Sequence, residues 1–261
     1  MGLRSFLKKK SMKKFVSRKD VQRKFNLVST EEWPVVILGF NNGVYVQNMV
    51  EQLNRYGVRP LIIDNSSTQV KAINIFQSLA RSGNAYYVRC PHNFGHEVIF
   101  MTPIYDLLPK SFFCTDPDLQ FSENLPKDFL SHFSILSEKY RVFKVGMALS
   151  LTECIQEMTY ELNTKRPLAV TKSYNVKEWE AQFWRFRICD EDYEIYAAPI
   201  DTTFFYCNKK YFNGDLKDGL RVAGDFSCMH LPWYPAIDIM NECDLDEYRS
   251  TKLESTGDWV K

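Results

Sequence analysis

The sequence predicts an α/β fold in which a mixed, mostly parallel sheet is flanked by helices and preceded by a basic N-terminal arm. Short apolar runs alternate with stretches of helical spacing, and most of the runs end in polar turn residues. Lysine and arginine are concentrated at the start of the chain. Repeated strand–helix alternation indicates a parallel sheet with both faces covered. At 261 residues, 45% of them hydrophobic, the chain is long enough for one substantial core.

The arm, residues 1–30, is strongly basic. Its first 25 residues carry ten Lys or Arg and one Asp, whereas the rest of the chain carries 23 basic and 31 acidic side chains. Apolar residues such as Phe6, Phe15 and Phe25 are interleaved with the lysines, which indicates two short helical pieces. We weigh contact with an anionic membrane surface against a disordered tail. Nucleic acid is the least favoured partner, because nothing downstream resembles a base-reading module.

The cysteines and the hydropathy favour a cytoplasmic protein. The seven cysteines are widely spaced and form no C-x-x-C motif, so neither a zinc ribbon nor a redox dithiol is supported. Cys114 and Cys207 stand among apolar residues, as buried cysteines of a reducing compartment do. The sequence has no run of 18 apolar residues and no signal-peptide pattern at its start. We therefore expect a cytoplasmic location, with peripheral attachment to the inner face of a membrane as a further hypothesis.

The elements of the first half, residues 31–125, follow one another regularly. Four apolar runs predict strands: VVIL, LIID, AYYVRC and SFFCTD. Helical spacing predicts the three helices between them, at Val44–Tyr56, Val70–Ser82 and Glu97–Leu107. Residues 31–125 thereby form a parallel half-sheet.

The second half, residues 126–245, is less regular, and residues 246–261 form a polar tail. A helix is expected at Lys127–Tyr140, followed by the strand RVFKVGMALSL. The stretch Lys172–Arg187 is rich in tryptophan and charge, and EIYAAPIDTTFFYCN reads as a strand pair with Asp201 at its centre.

Polar residues follow each of the first four strands. Because ligands bind beyond the carboxyl ends of parallel strands, these residues are expected to converge on one rim. They are Asn41, Asn42, Asp64, Asn65, Ser66, Asn93, His96, Asp116 and Asp118. Neither a dinucleotide fingerprint nor a P-loop is present, so bound phosphates would need another means of neutralisation. The D-x-D pair Asp116 and Asp118 offers hard oxygen ligands suited to Mg²⁺ or Mn²⁺. An acidic turn without a metal is the alternative.

The motifs VVILGFNNG, LIIDNSST, NFGH and TDPDLQF together resemble those of GT-A-fold glycosyltransferases, especially family 2-like enzymes. The resemblance covers residues 33–125 and implies a GT-A-type, Rossmann-like sheet. It implies that Phe40, Asn41 and Asp64 contact the base and ribose of a nucleotide-sugar donor. Asp116 and Asp118 would bind a divalent metal and the sugar diphosphate.

The remaining candidates are interpreted beside this resemblance. Asn42, Asn93 and His96 are placed on the donor side. His230 is a candidate third metal ligand, with a satisfied buried histidine as the alternative.

Two carboxylates are candidates for the general base of an inverting transfer. Asp201 leads because an acid in an apolar strand has its pKa raised by desolvation; a turn cap bonded to Thr202 or Thr203 is the alternative. Glu180 is the second candidate, and an ordinary solvated helix face is its alternative. The Glu-Asp pair of many family members is absent.

The sequence thus predicts a metal-dependent glycosyltransferase that moves a sugar from a UDP- or GDP-sugar to a glycan or lipid-linked acceptor, in surface polysaccharide synthesis. A sugar nucleotidyltransferase is one alternative, although FNNGVYVQN lacks the Gly-rich, basic loop of that class. A membrane-associated binding module without catalysis is the other.

Overall fold

A computed structural model describes residues 3–152, 159–163 and 171–250. Residues 251–261 of the expected polar tail lie outside the described residues. The α-helices are α1 Leu3–Val16, α2 Lys19–Val28, α3 Gly43–Arg55, α4 Val70–Arg81, α5 Ile104–Leu107, α6 Phe129–Tyr140, α7 Val176–Ala181 and α8 Glu242–Ser250. Single 3₁₀ turns span Val98–Phe100, Gln182–Trp184, Lys209–Tyr211, Gly224–Phe226 and Leu231–Trp233.

The strands fall into one large sheet and two small ones. They are β1 Val35–Gly39, β2 Leu61–Asp64, β3 Tyr86–Arg89, β4 Ser111–Thr115, β5 Leu119–Phe121, β6 Lys144–Met147, β7 Thr159–Asn163, β8 Thr171–Asn175, β9 Arg187–Ile188, β10 Ile195–Ala197, β11 Phe205–Asn208, β12 Gly219–Val222 and β13 Cys228–His230. The nine-stranded sheet has the order β3-β2-β1-β4-β11-β6-β12-β10-β9, and β13 pairs with β5 and β7 with β8.

The predicted fold class, a mixed α/β sheet flanked by helices, is confirmed. Strands β3, β2, β1 and β4 are parallel neighbours, as the strand–helix alternation indicates. The second half adds β11 antiparallel to both β4 and β6, while β12 runs parallel to β6. The parallel pairing is therefore concentrated in the half that carries the candidate donor residues.

Alternation along the strands distributes the core over two faces of the sheet. Val35 and Ile37 of β1 pack with α3, α4 and α6, whereas Val36 and Leu38 pack with α1 and α2. Successive side chains of a strand point to opposite faces, so a strand buried on both sides reads as a continuous apolar run. This is why VVIL shows no polar alternation.

The arm consists of two helices that pack on the sheet, which confirms the expectation of two helical pieces. Phe15 of α1 and Phe25 of α2 are buried in the same cluster as Val36 of β1. Lys24 Nζ donates to the Tyr87 carbonyl on the edge strand β3 at 2.8 Å. The alternative of a disordered tail therefore does not describe residues 3–28.

Two local expectations are wrong. The stretch Glu97–Leu107 is not one helix but a 3₁₀ turn followed by the four-residue α5. Pro103 lacks an amide hydrogen and restricts the residue before it, so the helical spacing is interrupted there. Strands β10 and β11, expected as a pair, are separated in the sheet by β12 and β6.

Candidate active site at the carboxyl ends of the strands

The carboxyl ends of the first four strands meet at one rim of the sheet. Gly39 lies opposite Asp64, Asp64 lies opposite Arg89, and Ile37 lies opposite Thr115. The loops that begin at Phe40, Asn65, Cys90 and Asp116 therefore emerge side by side. The expected convergence of polar residues on one rim follows from this register.

Asn41 joins two of these loops. Its Oδ1 accepts hydrogen bonds from the backbone amides of Thr68 and Gln69 at 2.8 and 3.0 Å, and its Nδ2 donates to Thr68 Oγ1 at 3.1 Å. The residue is buried and has a φ of 55°, in the left-handed region that Asn tolerates better than most residues. Its side-chain polar groups are thus engaged within the protein, and they fix the shape of this part of the rim.

Asn42 and Phe40 form a smaller turn in the same loop. The Asn42 Oδ1 accepts a hydrogen bond from the backbone amide of Phe40 at 2.9 Å, directly before α3 begins. Asn42 is buried and Phe40 is half-buried. Of these two, Phe40 is therefore the more accessible to a ligand.

Asp64 is fully buried and its carboxylate is occupied by the protein. Its Oδ1 accepts from the Ser67 amide at 2.7 Å, and its Oδ2 accepts from the Tyr87 hydroxyl at 2.8 Å and lies 3.4 Å from Arg89 Nε. Burial, with the Asp64 charge, raises the pKa of Tyr87 above its ordinary value. The structure gives Asp64 a clear role in shaping its loop, and its predicted contact with the nucleoside stays a prediction.

Asn93 and His96 lie in the next loop of the rim. Asn93 Oδ1 accepts from Asn65 Nδ2 at 3.0 Å and from the Gly95 amide at 2.7 Å. Gly95 has a φ of 91°, which an L side chain rarely adopts. His96 is 56% exposed and lies 3.9 Å from Glu97, so it faces solvent rather than the buried part of the site.

The D-x-D segment is clamped at both ends by backbone hydrogen bonds. The Asp116 amide donates to the Thr202 carbonyl at 2.9 Å, and the Asp118 carbonyl accepts from the Leu231 amide at 2.8 Å. Pro117 fixes φ between the two aspartates. The D-x-D segment is therefore held between two segments of the second half of the chain, one at Thr202 and one at Leu231.

His230 lies against Asp118, as the hypothesis of a shared metal site requires. The pairing of β13 with β5 sets His230 opposite Leu119, the neighbour of Asp118. His230 Nε2 is 3.2 Å from Asp118 Oδ2, and the two side chains are 17% and 18% exposed. The other polar atoms, Asp118 Oδ1 and His230 Nδ1, are buried and have no hydrogen-bond partner among the residues described.

The pKa values of the two aspartates are shifted in opposite directions. Burial, together with the neighbouring Asp118 charge, raises the pKa of Asp116 to about 8. Burial also pushes the pKa of Asp118 upward, but the charge and hydrogen bond of His230 outweigh it and hold that pKa below its ordinary value. Burial alone would lower the pKa of His230, and Asp118 raises it above the ordinary value. A cation placed between the aspartates would favour the ionised form of both.

The side chains of Asp116, Asp118 and His230 fit a divalent metal whose remaining coordination positions are filled by a bound ligand. Within the described residues, no three His, Cys, Asp or Glu side chains surround a common point closely enough to hold a metal by themselves. Mg²⁺ is commonly bound through one or two carboxylates while phosphates and water fill the remaining positions. The unpartnered Asp118 Oδ1 is the atom best suited to such a role, with Asp116 and His230 beside it.

The candidate general bases differ sharply from expectation. Asp201 was expected inside an apolar strand, but it lies in a bend, is 57% exposed and pairs with Lys217 at 3.3 Å. The desolvation argument for it is therefore wrong, because the chain leaves the sheet between β10 and β11. It still neighbours the site, since Thr202 accepts the amide hydrogen of Asp116.

Glu180 is buried, so the alternative of a solvated helix face is wrong. Its Oε1 lies 2.5 Å from Arg221 Nη1, and Arg221 Nε also donates to the Pro199 carbonyl at 2.9 Å. Burial raises the pKa of Glu180 to about 7, although the charges of Arg221 and His230 lower it. Burial lowers the pKa of Arg221, because it disfavours the charged guanidinium as it disfavours the charged carboxylate. Glu180 is thus held in an internal ion pair.

A C-terminal segment covers the same rim, and the sequence patterns did not reveal it. Tyr45 of α3 donates to both carboxylate oxygens of Asp238 at 2.9 Å. Burial, with the charges of Asp118 and Asp116, raises the pKa of Tyr248 in α8 above its ordinary value. Met240 and Asp244 help to line a pocket of about 10 Å³ against Asn41. No local signal could identify these contacts, because they join segments from opposite ends of the chain.

A wider cavity of about 230 Å³ lies elsewhere, at the opposite end of the strands. Trp33, Tyr56, Arg59 and Lys127 are among its lining residues. Trp33 and Arg59 precede β1 and β2, so this cavity is at the amino ends of these strands, away from Asp118. The clustered carboxylates Asp116 and Asp118 lie at the rim instead.

No protein-family model and no curated protein matches the sequence. Solved structures overlap with the chain in part. TarS 1–349 from S. aureus has a TM-score of 0.36 at 11% identity, over 50% of this chain and 41% of that one. The mannosyltransferase PcManGT from Pyrobaculum calidifontis, in complex with GDP-Man and Mn²⁺, has a TM-score of 0.35 at 12% identity, over 49% of this chain and 42% of that one. HddC from Yersinia pseudotuberculosis has a TM-score of 0.35 at 10% identity, over 68% of this chain and 77% of that one. This chain thus spans less than half of the length of TarS 1–349 and of PcManGT.

Proposed function

We propose that this chain is a metal-dependent glycosyltransferase that transfers a sugar from a UDP- or GDP-sugar to a glycan or lipid-linked acceptor. The observation that carries the proposal is the pair Asp116 and Asp118 at the end of β4, beside His230. Asp118 Oδ1 is buried without a partner there, and the pKa of Asp116 is raised to about 8. Such a site is stabilised by a bound cation.

Asp118 would be the principal protein ligand of Mn²⁺ or Mg²⁺, with Asp116 and His230 assisting. The metal would supply positive charge next to the diphosphate and so stabilise it as a leaving group. The rim loops held by Asn41, Asp64 and Asn93 would bind the nucleoside and the donor sugar. Their shape is fixed by internal hydrogen bonds before a donor arrives, which lowers the cost of ordering the site on binding.

Asp201 is the better candidate for the general base in an inverting transfer. It is exposed and adjacent to Thr202, so an acceptor hydroxyl can approach it next to the D-x-D segment. A base must come within hydrogen-bond reach of the proton that it removes. Glu180 is enclosed by Arg221 and the core, and we assign it the role of positioning this side of the site.

We further propose that the reaction takes place at a membrane surface, as part of surface polysaccharide synthesis. The basic arm supports this step, because a lipid-linked acceptor is presented at such a surface. None of the helices in the described part of the chain is both long enough and apolar enough to cross a bilayer. If only the described helices attach the protein to a membrane, they would do so by contact with the membrane surface.

Calorimetric titration with UDP and GDP, with and without Mn²⁺, tests the donor site. The parent chain should bind at least one of them in a manner that depends on Mn²⁺, and Asp118→Asn should lose that dependence. Glu123→Gln, which changes an exposed carboxylate just after β5, is the matched control. Binding that needs no metal and survives Asp118→Asn would refute the metal-bridged donor.

Product analysis separates transfer from the alternatives. With a nucleotide-sugar and a glycan acceptor, Asp201→Asn should retain Mn²⁺-dependent nucleotide binding and lose most sugar transfer. Release of pyrophosphate from a nucleoside triphosphate and a sugar 1-phosphate would instead identify a nucleotidyltransferase. Nucleotide binding without either reaction would identify a binding module.

A further inference from the structure

We propose that the outer surface of α1 and α2 is a docking face for anionic lipid membranes. This basic face consists of Lys8, Lys10, Lys13, Lys14, Arg18, Lys19 and Arg23, all of which are exposed. The inference does not depend on glycosyl transfer, because it is carried by the arm alone. It concerns a surface on the helices, whereas the active site lies on the rim of the sheet.

The arm is anchored, so the basic face is presented as part of the folded domain. The inner sides of the two helices are buried against the sheet, through Met12, Phe15, Val16, Val21, Phe25 and Val28. Lys24 is turned inward to the Tyr87 carbonyl on the edge strand. Because the apolar residues are used in this packing, the exposed lysines and arginines of the two helices are left toward solvent.

Within the part of the chain that the structure describes, salt bridges do not compensate the charge of this face. Among the residues described, none of its seven cations forms an ion pair with a carboxylate, and Asp20 is the exposed acid between Lys19 and Arg23. The rest of the chain has more acidic than basic side chains. An anionic surface would therefore attract the arm and repel the body, which favours one orientation.

Two exposed leucines on the same helices distinguish lipid from other polyanions. Leu7 is 55% exposed and Leu27 is 44% exposed. Interfacial helices combine basic residues with apolar side chains that enter the headgroup region. Single-stranded nucleic acid is bound instead by exposed aromatic rings, whereas Phe15 and Phe25 of the arm are buried in the core. The observations thus favour a membrane.

Vesicle sedimentation of the full chain tests the proposal. Vesicles of phosphatidylcholine alone are compared with vesicles that also contain phosphatidylserine. We expect binding to the anionic vesicles only, and weaker binding as salt is added. Each Lys near an anionic surface changes the partition coefficient about fivefold, so the variant Lys10→Ser/Lys13→Ser/Lys14→Ser should lower it about a hundredfold.

The matched control is Lys110→Ser/Lys127→Ser/Lys177→Ser, which removes three exposed lysines outside the arm and should bind like the parent. Circular dichroism and Mn²⁺-dependent nucleotide binding should be the same for both triple variants, which separates this proposal from the proposed function. Equal binding to neutral and anionic vesicles, or an arm variant that binds like the parent, would overturn the proposal. Tighter binding to a DNA or RNA oligonucleotide than to anionic vesicles, at equal phosphate and salt, would also overturn it.

Discussion

His230 Nε2 lies 3.2 Å from Asp118 Oδ2, in a pair that β13 and β5 assemble from opposite halves of the chain. The contact links the end of the first half of the chain, residues 31–125, to the end of the second half, residues 126–245. Both side chains are largely buried and have lost most of their contact with water. The opposite charge of the partner therefore compensates each of them for the lost hydration. We expect the pair to stabilise the fold when no metal is bound, while Asp118 Oδ1, which has no hydrogen-bond partner among the residues described, remains available to a cation.

A double-mutant cycle should detect this pair in the metal-free protein. We expect Asp118→Asn and His230→Gln, alone and combined, to give a coupling free energy of about 0.5–3 kcal/mol in urea unfolding with chelator present. Lys210 and Glu138, an exposed pair at 2.8 Å, should give a much smaller coupling. Strictly additive effects at Asp118 and His230 would show that the pair does not stabilise the fold.

The buried pair Glu180–Arg221 should respond asymmetrically to removal of its members. Glu180→Met leaves the Arg221 guanidinium buried and charged, and we expect a loss of about 3–5 kcal/mol in unfolding free energy. Arg221→Met should cost less, because the pKa of Glu180 is already raised to about 7 and the carboxyl can take up a proton. The double variant Glu180→Met/Arg221→Met should recover much of the loss. A larger loss for Arg221→Met than for Glu180→Met would contradict this account.

Stability should decline between pH 4.5 and about 7 because of Glu180. Its folded-state pKa is raised above the ordinary 4.5, so folding favours the protonated carboxyl. The contribution is complete below pH 4.5 and is lost as the pH rises through about 7, by an amount on the order of 3 kcal/mol. Urea unfolding at pH 5 and pH 8 measures it.

The double variant Glu180→Met/Arg221→Met is the control for this pH dependence. It should retain the decline contributed by Asp116, whose pKa is also raised, to about 8, and lose the part contributed by Glu180. An identical decline in the parent and the double variant would exclude Glu180 as the source.

Asn41 should stabilise the fold in two ways, through its side-chain hydrogen bonds and through its tolerance of a left-handed backbone conformation. Asn41→Gly removes the side-chain bonds to the 68–69 backbone but tolerates a φ of 55°, and we expect a loss of about 2 kcal/mol. Asn41→Ala should cost about 1 kcal/mol more because Ala is strained in the left-handed region. Thermal unfolding compares the two variants, and Gln47→Ala on the exposed face of α3 is the control. Equal stabilities for Asn41→Gly and Asn41→Ala would refute the backbone argument.

Donor binding should displace the C-terminal segment that contains α8. The pocket between Asn41 and Met240 has a volume of about 10 Å³, whereas ligand sites usually have several hundred. Hydrogen exchange of amides in Glu242–Ser250 should therefore become faster when Mn²⁺ and a nucleotide diphosphate are added. Unchanged or slower exchange would mean that the donor binds without moving this segment.

Several features could be predicted from the sequence because they depend on local patterns. The runs VVIL and LII are apolar at every position, as is typical of strands buried on both faces, and helical spacing located α3 and α4. The parallel half-sheet then placed Asp116 and Asp118 at a rim shared with Asn41 and Asp64. Even the division of the arm into two helices followed from its apolar residues.

The second half was less predictable, because burial of a polar residue depends on segments that are distant in sequence. Glu180 reads as a surface residue of a short helix, yet Arg221 and the β12 side of the sheet enclose it. Asp201 reads as a strand residue, yet the chain bends there and exposes it.

By itself, then, the sequence determined the class of the fold, the parallel strands whose carboxyl ends form the rim, and the two aspartates at the end of β4. Only the tertiary structure decided that His230 contacts Asp118, that Glu180 is paired in the core and that α8 covers the rim. The physical reason is that hydrophobic periodicity encodes which face of an element is buried, whereas the partner that a polar side chain meets is fixed by the packing of elements far apart in the chain.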